Sequence, residues 1–140
     1  MTTIAYRDGV LAADSQITSG NNARCGTVMK IGRAPDGYRW AYSGQTQQQE
    51  RFAKWACGDR KADPDKWTEG GVGILISPEG VVREWWGDGW LQVSSPCHAW
   101  GSGERVARGA MAAGATSERA VAICIEIDPD TGGPVVTLDA

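Results

Sequence analysis

Short apolar runs separated by tight turns fill the first third of the chain, a pattern that predicts β-hairpins. Asp8-Gly9 and Asp36-Gly37 are Asp-Gly pairs, which favour the two-residue turns that join antiparallel strands. Gly44 ends this region. We therefore predict four strands, at residues 3–6, 10–13, 28–31 and 39–42.

Three later segments show the composition and spacing of helices. Residues 45–57 are rich in Gln, Glu, Arg and Lys, and Gly58 follows as a helix stop. Thr116 or Ser117 provides the N-cap of a helix that Pro129 terminates. We predict helices at residues 45–57, 104–113 and 117–127, and strands at residues 72–76, 81–86, 90–93, 97–100 and 134–138.

The order of these elements predicts an α+β fold. Four strands, a helix, four strands, two helices and a last strand bury their apolar faces economically as two packed antiparallel sheets with helices outside. We therefore predict a four-layer αββα sandwich. The 140 residues contain 19 glycines and 6 prolines without a linker, so residues 1–140 are expected to form one domain.

Composition and charge exclude several classes of function. With 22% charged residues and a net charge of -3, the chain lacks the basic character that binding to nucleic acid or an anionic membrane requires. No apolar run approaches the roughly 20 residues of a membrane-spanning helix. The N-terminus shows no secretory signal, so we expect a cytoplasmic protein that binds neither nucleic acid nor membrane.

The four cysteines form no metal or redox motif. They are widely spaced without a Cys-x-x-Cys pair, which excludes a zinc ribbon or thioredoxin-like site and predicts free thiols. Cys97 precedes the only histidine, His98. Because neighbours on a strand point to opposite faces, a Cys–His nucleophile is disfavoured.

Seven tryptophans raise the question of an aromatic binding platform. Four of them crowd the predicted middle strands: Trp85, Trp86, Trp90 and Trp100. A platform for sugar or peptide is one interpretation, and packing in the core or against another subunit is the other, which we favour. Strand alternation places Trp85 and Trp86 on opposite faces, so at least one of them should meet a helix layer or a second subunit.

The start of the chain offers a chemically distinctive group. If Met1 is removed, Thr2 carries its hydroxyl and a free α-amine on adjacent carbons. An α-amine has an ordinary pKa of about 8 and can accept the hydroxyl proton at neutral pH, which makes the hydroxyl a nucleophile. Thr2 leads directly into a predicted strand, so the sheet would hold the terminus in place.

Several short motifs follow in order along the chain: Thr2-Thr3-Ile4, Ala13-Asp14-Ser15, Thr27-Val28-Met29-Lys30, Ser43-Gly44, Gly101-Ser102-Gly103 and Asp128-x-x-Thr131-Gly132-Gly133. Together they resemble the proteasome β-subunit/HslV family of N-terminal-nucleophile (Ntn) hydrolases. The start and the Lys30 segment look most like HslV, and the Asp128 segment is more like a proteasome β-subunit. The resemblance covers nearly the whole chain, and it implies the sandwich fold and threonine-type hydrolysis.

The resemblance implies a role for each matching residue. Thr2 is the nucleophile, Lys30 lowers the pKa of its hydroxyl and amine, and Asp14 orients Lys30. The backbone N–H of Gly44 faces the developing oxyanion. These four residues would carry the covalent step.

Three further residues are implied to position the terminal amine: Ser102, Asp128 and Thr131. The family usually has serine where Thr131 stands. Without the resemblance, a surface ion pair on adjacent strands is the favoured interpretation of Asp14 and Lys30. Residues 128–133 read as a turn, or as a calcium loop whose EF-hand offsets 1, 3, 6 and 12 fall on Asp128, Asp130, Gly133 and Asp139.

One part of the chain departs from the family pattern. Family members place two long helices between the fourth strand and the next pair of strands. Here residues 58–67 are polar and interrupted by Pro64, so a second helix is not predicted. We therefore expect one outer helical layer to be reduced.

These observations predict a threonine-type endopeptidase that acts on a polypeptide or peptide and requires no cofactor and no metal. Two alternatives stay open, a catalytically inactive assembly or binding module and an Ntn hydrolase of small amides. We expect a homo-oligomer, with a ring as one arrangement. The sequence does not decide whether an ATPase partner exists.

Overall fold

The structure is a computed structural model that describes residues 2–21, 23–67 and 70–140. Its contacts divide the chain into two compact units, the first formed by Met1–Lys30 and Ser95–Ala140 and the second by Ile31–Ser94. The single domain over residues 1–140 stays a prediction. In the described ranges the elements are, in order, β1 (Thr3–Arg7), β2 (Val10–Ala13), β3 (Gln16–Thr18), β4 (Arg24–Thr27), β5 (Ile31–Arg33), β6 (Arg39–Ser43), α1 (Thr46–Ala56), β7 (Val72–Ile76), β8 (Val82–Trp85), β9 (Trp90–Val93), β10 (Cys97–Gly101), α2 (Glu104–Ala112), α3 (Ser117–Ile127) and β11 (Val136–Leu138).

Most predicted elements are confirmed to within one or two residues. The helix predicted at residues 117–127 is α3, and Thr116 caps it, because its Oγ1 accepts the Arg119 N–H at 3.1 Å. The helix predicted at residues 45–57 is α1, with Gln45 and Cys57 as its caps. The last strand begins at Val136, two residues later than predicted.

The strand predicted at residues 28–31 is wrong. The β3–β4 hairpin precedes this segment, and the next strand, β5, begins only at Ile31. Every residue of β4 is exposed, so no alternation of apolar and polar positions marks this strand in the sequence. Val28 instead donates its N–H to the Ser15 carbonyl at 2.8 Å, which ties the end of the hairpin to its start.

The first unit is a four-stranded antiparallel sheet in the order β10-β1-β2-β11, on which α2 and α3 pack. Its core consists mainly of small side chains: Ala5, Ala12, Ala99, Ala107, Met111, Ala120, Val121 and Cys124. Small side chains let the two helices lie close to the sheet at normal packing density. This close approach matters because the strand that carries the N-terminus, β1, lies in the middle of the sheet.

The second unit is a five-stranded antiparallel sheet in the order β5-β6-β7-β8-β9. Within the described residues of this unit α1 is the one helix, and it packs mainly over β6 and β7. The stretch from residue 58 to residue 67 contains no helix, as predicted. Indole groups hold this stretch instead: Trp55 Nε1 donates to the Ala62 carbonyl at 2.7 Å, and Trp90 Nε1 donates to Asp63 Oδ1 at 3.1 Å. Side chains therefore do part of the covering that a second helix would do.

An aromatic cluster forms the core of the second unit. Six rings contact one another in a closed circuit with centroid separations between 5.3 and 6.4 Å: Tyr42, Phe52, Trp55, Trp90, Trp85 and Trp67. Trp85 is 1% exposed and Trp86 is 53% exposed, as expected of neighbours on opposite faces. The prediction of core packing is confirmed for Trp85 and for Trp100, which is buried in the first unit.

Two further sequence expectations concern the membrane and the thiols. In the described ranges, no helix has both the length and the apolar character needed to cross a bilayer. All four cysteines are free thiols.

We predict that Gly73→Ala destabilises the protein by about 1–3 kcal/mol, because a Cβ at this position would lie within 3.0 Å of the Phe52 ring. The free energy of unfolding in urea measures the effect. Gly89→Ala is the matched control in the same unit, since nothing lies within 4 Å of its Cβ position. Equal stability of the two variants would contradict the packing of α1 on β7.

Candidate functional site

The N-terminal residues are held by sheet pairing and by the loop after β10. Thr3 lies opposite Gly101 in the antiparallel register of β1 and β10. Immediately beyond this pair, Ser102 donates its N–H to the Thr2 carbonyl at 2.7 Å. Thr2 is only 5% exposed, so its backbone has a defined position at the end of the sheet.

Asp14 and Lys30 form a buried ion pair. Lys30 Nζ lies 3.0 Å from Asp14 Oδ1 and 3.1 Å from Oδ2, and the side chains are 4% and 0% exposed. The carboxylate also accepts the Thr3 N–H at 2.9 Å and the Gly132 N–H at 3.1 Å. The surface-pair interpretation is therefore wrong, because a charge this deeply buried is tolerated only when it is paired and hydrogen-bonded.

Burial and pairing act in opposite directions on Lys30. Desolvation lowers the pKa of its ammonium group, and the charge and hydrogen bonds of Asp14 raise it. The net effect is a pKa below the ordinary value of 10.5. Lys30 thus places its ammonium group in direct contact with the Asp14 carboxylate inside the site.

Four side chains form a continuous chain of hydrogen bonds beside the N-terminal strand. Ser102 Oγ donates to Asp128 Oδ2 at 2.7 Å, and Thr131 Oγ1 donates to the same oxygen at 2.8 Å. Because the Thr131 proton is used there, the 2.7 Å contact between Thr131 Oγ1 and Thr3 Oγ1 takes its proton from Thr3. Asp128 is therefore linked to both strands at the Thr3–Gly101 end of the β1–β10 pairing.

The surroundings of Asp128 favour its ionised form. Burial alone would raise the pKa of this carboxyl group, but hydrogen bonds from Ser102 Oγ, the Asp130 N–H and Thr131 Oγ1 outweigh it, and the pKa lies below the ordinary value of 3.8. The same bonds bear on the turn and calcium-loop interpretations. Thr131 N–H closes a turn on the Asp128 carbonyl at 3.1 Å, so the turn is present. Both carboxylate oxygens of Asp128 accept hydrogen bonds from protein N–H and O–H groups. Their partners are therefore those of a turn and not those of a calcium loop, whose carboxylate oxygens bind the ion.

The structure adds residues that the sequence analysis did not assign to the site. Thr3 is fully buried and joins both hydrogen-bonded groups, through its N–H to Asp14 and through its hydroxyl to Thr131. A Cβ on Gly103 would overlap the Thr3 hydroxyl, so only glycine fits there. The thiol of Cys124 donates to the Gly103 carbonyl at 3.3 Å, and burial raises its pKa. The repeated Thr2-Thr3 pair was the available signal, but it does not say which threonine is anchored.

Six of the seven predicted site residues belong to the first unit and are connected there through Thr3: Thr2, Asp14, Lys30, Ser102, Asp128 and Thr131. Gly44 belongs to the second unit, and its role stays a prediction. It has a φ of +152°, and a Cβ there would lie 2.8 Å from the buried Tyr42 hydroxyl. Burial raises the pKa of Tyr42 to about 12, so this phenol is neutral at physiological pH.

The site as described is built from hydroxyl, carboxylate and ammonium groups. Among residues 2–21, 23–67 and 70–140, no three His, Cys, Asp or Glu side chains are arranged to hold a metal ion. The chemistry that these groups can perform is proton transfer and electrostatic stabilisation around the backbone of Thr2.

Solved structures of other proteins share this fold. BPH of Thiobacillus denitrificans in complex with epoxomicin has a TM-score of 0.70 at 19% identity, covering 98% of this chain and 96% of that one. HslV from Trypanosoma brucei has a TM-score of 0.65 at 17% identity, covering 99% of both chains. The Gly-1 mutant of Anbu from Hyphomicrobium sp. strain MC1 has a TM-score of 0.74 at 11% identity, covering 100% of this chain and 82% of that one.

These similarities confirm the predicted fold class, an α+β fold that the chain shares with the solved structures of BPH and HslV. No protein-family profile matches the chain, and no curated protein matches it in sequence. At these identities the likeness establishes the fold and not the activity.

We predict that Asp14→Asn lowers the free energy of unfolding by about 3–5 kcal/mol, because the neutral amide leaves the Lys30 ammonium buried without its counter-charge. Urea unfolding measures this loss. Asp8→Asn is the control: Asp8 pairs with Arg7 at 3.5 Å but is 86% exposed, so its loss should cost less than about 1 kcal/mol. Similar losses of unfolding free energy in both variants would show that the buried Asp14–Lys30 pair stabilises the protein no more than an exposed pair does.

A second prediction follows from the lowered pKa of Asp128. A carboxyl group whose pKa is lower in the folded state contributes stability above its unfolded value, and loses that contribution as the pH falls through the folded value. The difference in unfolding free energy between wild type and Asp128→Asn should be largest at pH 5–7 and shrink below the ordinary pKa of 3.8. Asp88→Asn, at an exposed position, is the control for the loss of one carboxylate elsewhere in the chain. A constant difference for Asp128→Asn would contradict the assignment.

Proposed function

We propose that this protein is a threonine-type amide-bond hydrolase in which Thr2, exposed by removal of Met1, is the nucleophile and a peptide is the substrate. The observation that carries the proposal is the network around the first strand. It holds the Thr2 backbone through Ser102 and joins Asp128, Thr131 and Thr3 to the buried Asp14–Lys30 pair. A buried charged network of this kind is costly to maintain, and such networks concentrate at functional sites.

The proposed reaction uses the terminal α-amine of Thr2 as its base. The amine takes the proton of the Thr2 hydroxyl, directly or through a water molecule, and Oγ1 attacks the carbonyl carbon of the scissile amide. The Ser102 N–H bond to the Thr2 carbonyl holds the residue in one orientation. The amine and the hydroxyl therefore keep one position relative to the substrate, which a mobile chain end would not give them.

The Asp14–Lys30 pair supplies the electrostatic part of the proposal. A cation near the chain end lowers the pKa of both the hydroxyl and the amine, which favours the deprotonated forms that the reaction needs. Asp14 fixes the ammonium group and, through the Thr3 N–H at 2.9 Å, fixes the strand beside it. Distance and orientation between the lysine and the chain end are thus set by one carboxylate.

The remaining steps complete the hydrolysis. The tetrahedral intermediate expels the amine of the leaving peptide, which takes the proton from the α-amine, and an ester forms between Thr2 and the acyl group. Water, activated by the same α-amine, then hydrolyses the ester. The resemblance assigns stabilisation of the oxyanion to the backbone N–H of Gly44.

An epoxyketone such as epoxomicin tests the proposal, since it forms a stable adduct only with a hydroxyl and a free amine on one terminal residue. Epoxomicin is present in one solved structure that shares this fold. We predict that intact mass spectrometry shows loss of Met1 and a stoichiometric epoxomicin adduct on the wild-type protein. Thr2→Ala should form no adduct and hydrolyse no peptide, and Thr2→Ser should retain both at a lower rate.

The control is Thr27→Ala, which removes an exposed hydroxyl in β4 and should leave the adduct unchanged. An adduct on Thr2→Ala would exclude Thr2 as the nucleophile. Retained Met1 would favour the alternative of an inactive assembly or binding module. A stoichiometric adduct together with hydrolysis of small amides but not of peptides would support Thr2 as the nucleophile. It would contradict the peptide as the substrate and favour the alternative of a small amide.

A further inference from the structure

In the second unit, the side chain of Arg83 lies on a part of the sheet that α1 does not cover. Arg83 in β8 lies opposite Leu75 in β7, and its side chain points to the same face as Trp85, two residues along the strand. Trp85 belongs to the aromatic cluster under α1, so Arg83 lies on the helix-bearing face of the sheet. The backbone of α1 packs mainly over β6 and β7, and among the described residues of this unit no second helix covers the part of the face around Arg83.

Two adjoining cavities open at this uncovered part of the sheet. Each has a volume of about 240 Å³, and they share Tyr38, Leu75 and Arg83 as lining residues. Trp55 and Trp90 form the aromatic wall of one cavity. Two guanidinium groups, those of Arg83 and Arg60, line the same cavity. Aromatic and aliphatic walls with a charged group between them are typical of a pocket for a small amphipathic ligand.

Arg83 carries the uncompensated charge of this pocket. Its guanidinium carbon lies 4.4 Å from the centre of the Trp90 ring. In the described part of the chain, no hydrogen bond or ion pair engages the guanidinium N–H groups of Arg83. Arg60, by contrast, lies 4.2 Å over the Tyr38 ring and is paired with Asp36. Arg83 therefore offers a free, planar set of donors beside an aromatic surface.

The two carboxylates that line the cavities do not neutralise Arg83. Asp63 Oδ1 accepts the Trp90 indole N–H at 3.1 Å. Glu79 lies on the exposed turn between β7 and β8 and makes no ion pair with Arg83. Glu79 nevertheless lines the same cavity as Arg83, where its charge would oppose a bound anion, and this makes it useful in the test.

We propose that this pocket binds a small carboxylic acid with a single aromatic ring, its carboxylate held by the Arg83 guanidinium and its ring packed among Tyr38, Trp55 and Trp90. A guanidinium group binds a carboxylate through two parallel N–H donors, and such charge-assisted pairs are about twice as strong as neutral hydrogen bonds. The volume of each cavity, about 240 Å³, admits one ring. This site is independent of the proposed hydrolysis at Thr2.

The test is a titration of the full-length protein with phenylacetate and, separately, with its neutral counterpart phenylacetamide. Nuclear magnetic resonance follows the Arg83 Nε–H and the Trp90 indole N–H. We expect saturable binding of phenylacetate that is about tenfold or more tighter than that of phenylacetamide. Equal affinity for the two compounds, or no saturable shift of either signal, would overturn the proposal.

Variants separate the charge from the shape of the pocket. Arg83→Gln should weaken phenylacetate binding at least about tenfold, and Arg83→Lys should weaken it less because the charge stays while the paired donors are lost. Glu79→Gln should tighten binding, and Arg24→Gln, at an exposed position of the other unit, should leave it unchanged. Thermal unfolding verifies that each variant folds; should Arg83→Gln fail to fold, Arg83→Lys and Glu79→Gln decide. Unchanged affinity in these Arg83 and Glu79 variants would exclude Arg83 as the ligand-binding group.

Discussion

The buried carboxylate of Asp14 is the interaction on which the first unit depends. It accepts hydrogen bonds from a lysine 16 positions away, from the N–H of the first strand and from the N–H of Gly132 before the last strand. Three segments that are remote in sequence are thereby held by two oxygen atoms. A carboxylate with no exposure to water must keep all these partners, so any rearrangement of one segment would disturb the other two.

This arrangement explains why the packing around the site uses small residues. Gly103 and Gly132 bring backbone close to Thr3 and Gln16, where a Cβ would collide with the side chain. Alanines on the strands and on α2 let the helices approach the sheet. The hydrogen bonds of Asp128 with Ser102 and Thr131, at 2.7 and 2.8 Å, have the ordinary length of O–H···O bonds.

In the second unit, one helix instead of two covers a face of the sheet. Aromatic side chains contact one another across the sheet, and their indole N–H groups bind the irregular segment at residues 58–67. Large rings bury much apolar area per residue, so a few of them can replace part of a helix. The replacement is incomplete around Arg83, and the two cavities are the consequence.

Most secondary-structure elements of this protein could be predicted from short-range signals in the sequence. The Asp8-Gly9 turn, the helix stops and the cap at Thr116 are short-range signals, and the elements that depend on them lie within one or two residues of where they were predicted. The order of motifs along the chain was enough to predict the fold class. The β3–β4 hairpin was missed because β4 is wholly exposed and has no apolar periodicity.

The sequence by itself determined which chemical groups are present and which elements carry them, because propensity, turn chemistry and spacing act over a few residues. Only the tertiary structure decided which of those groups meet. Thr3 and Thr131 are 128 positions apart and share a hydrogen bond, and no local pattern distinguishes the anchored Thr3 from Thr2 beside it. The burial that turns Asp14 and Lys30 from a surface pair into a buried one is likewise a property of the packed sheet, since only the folded chain removes both groups from water.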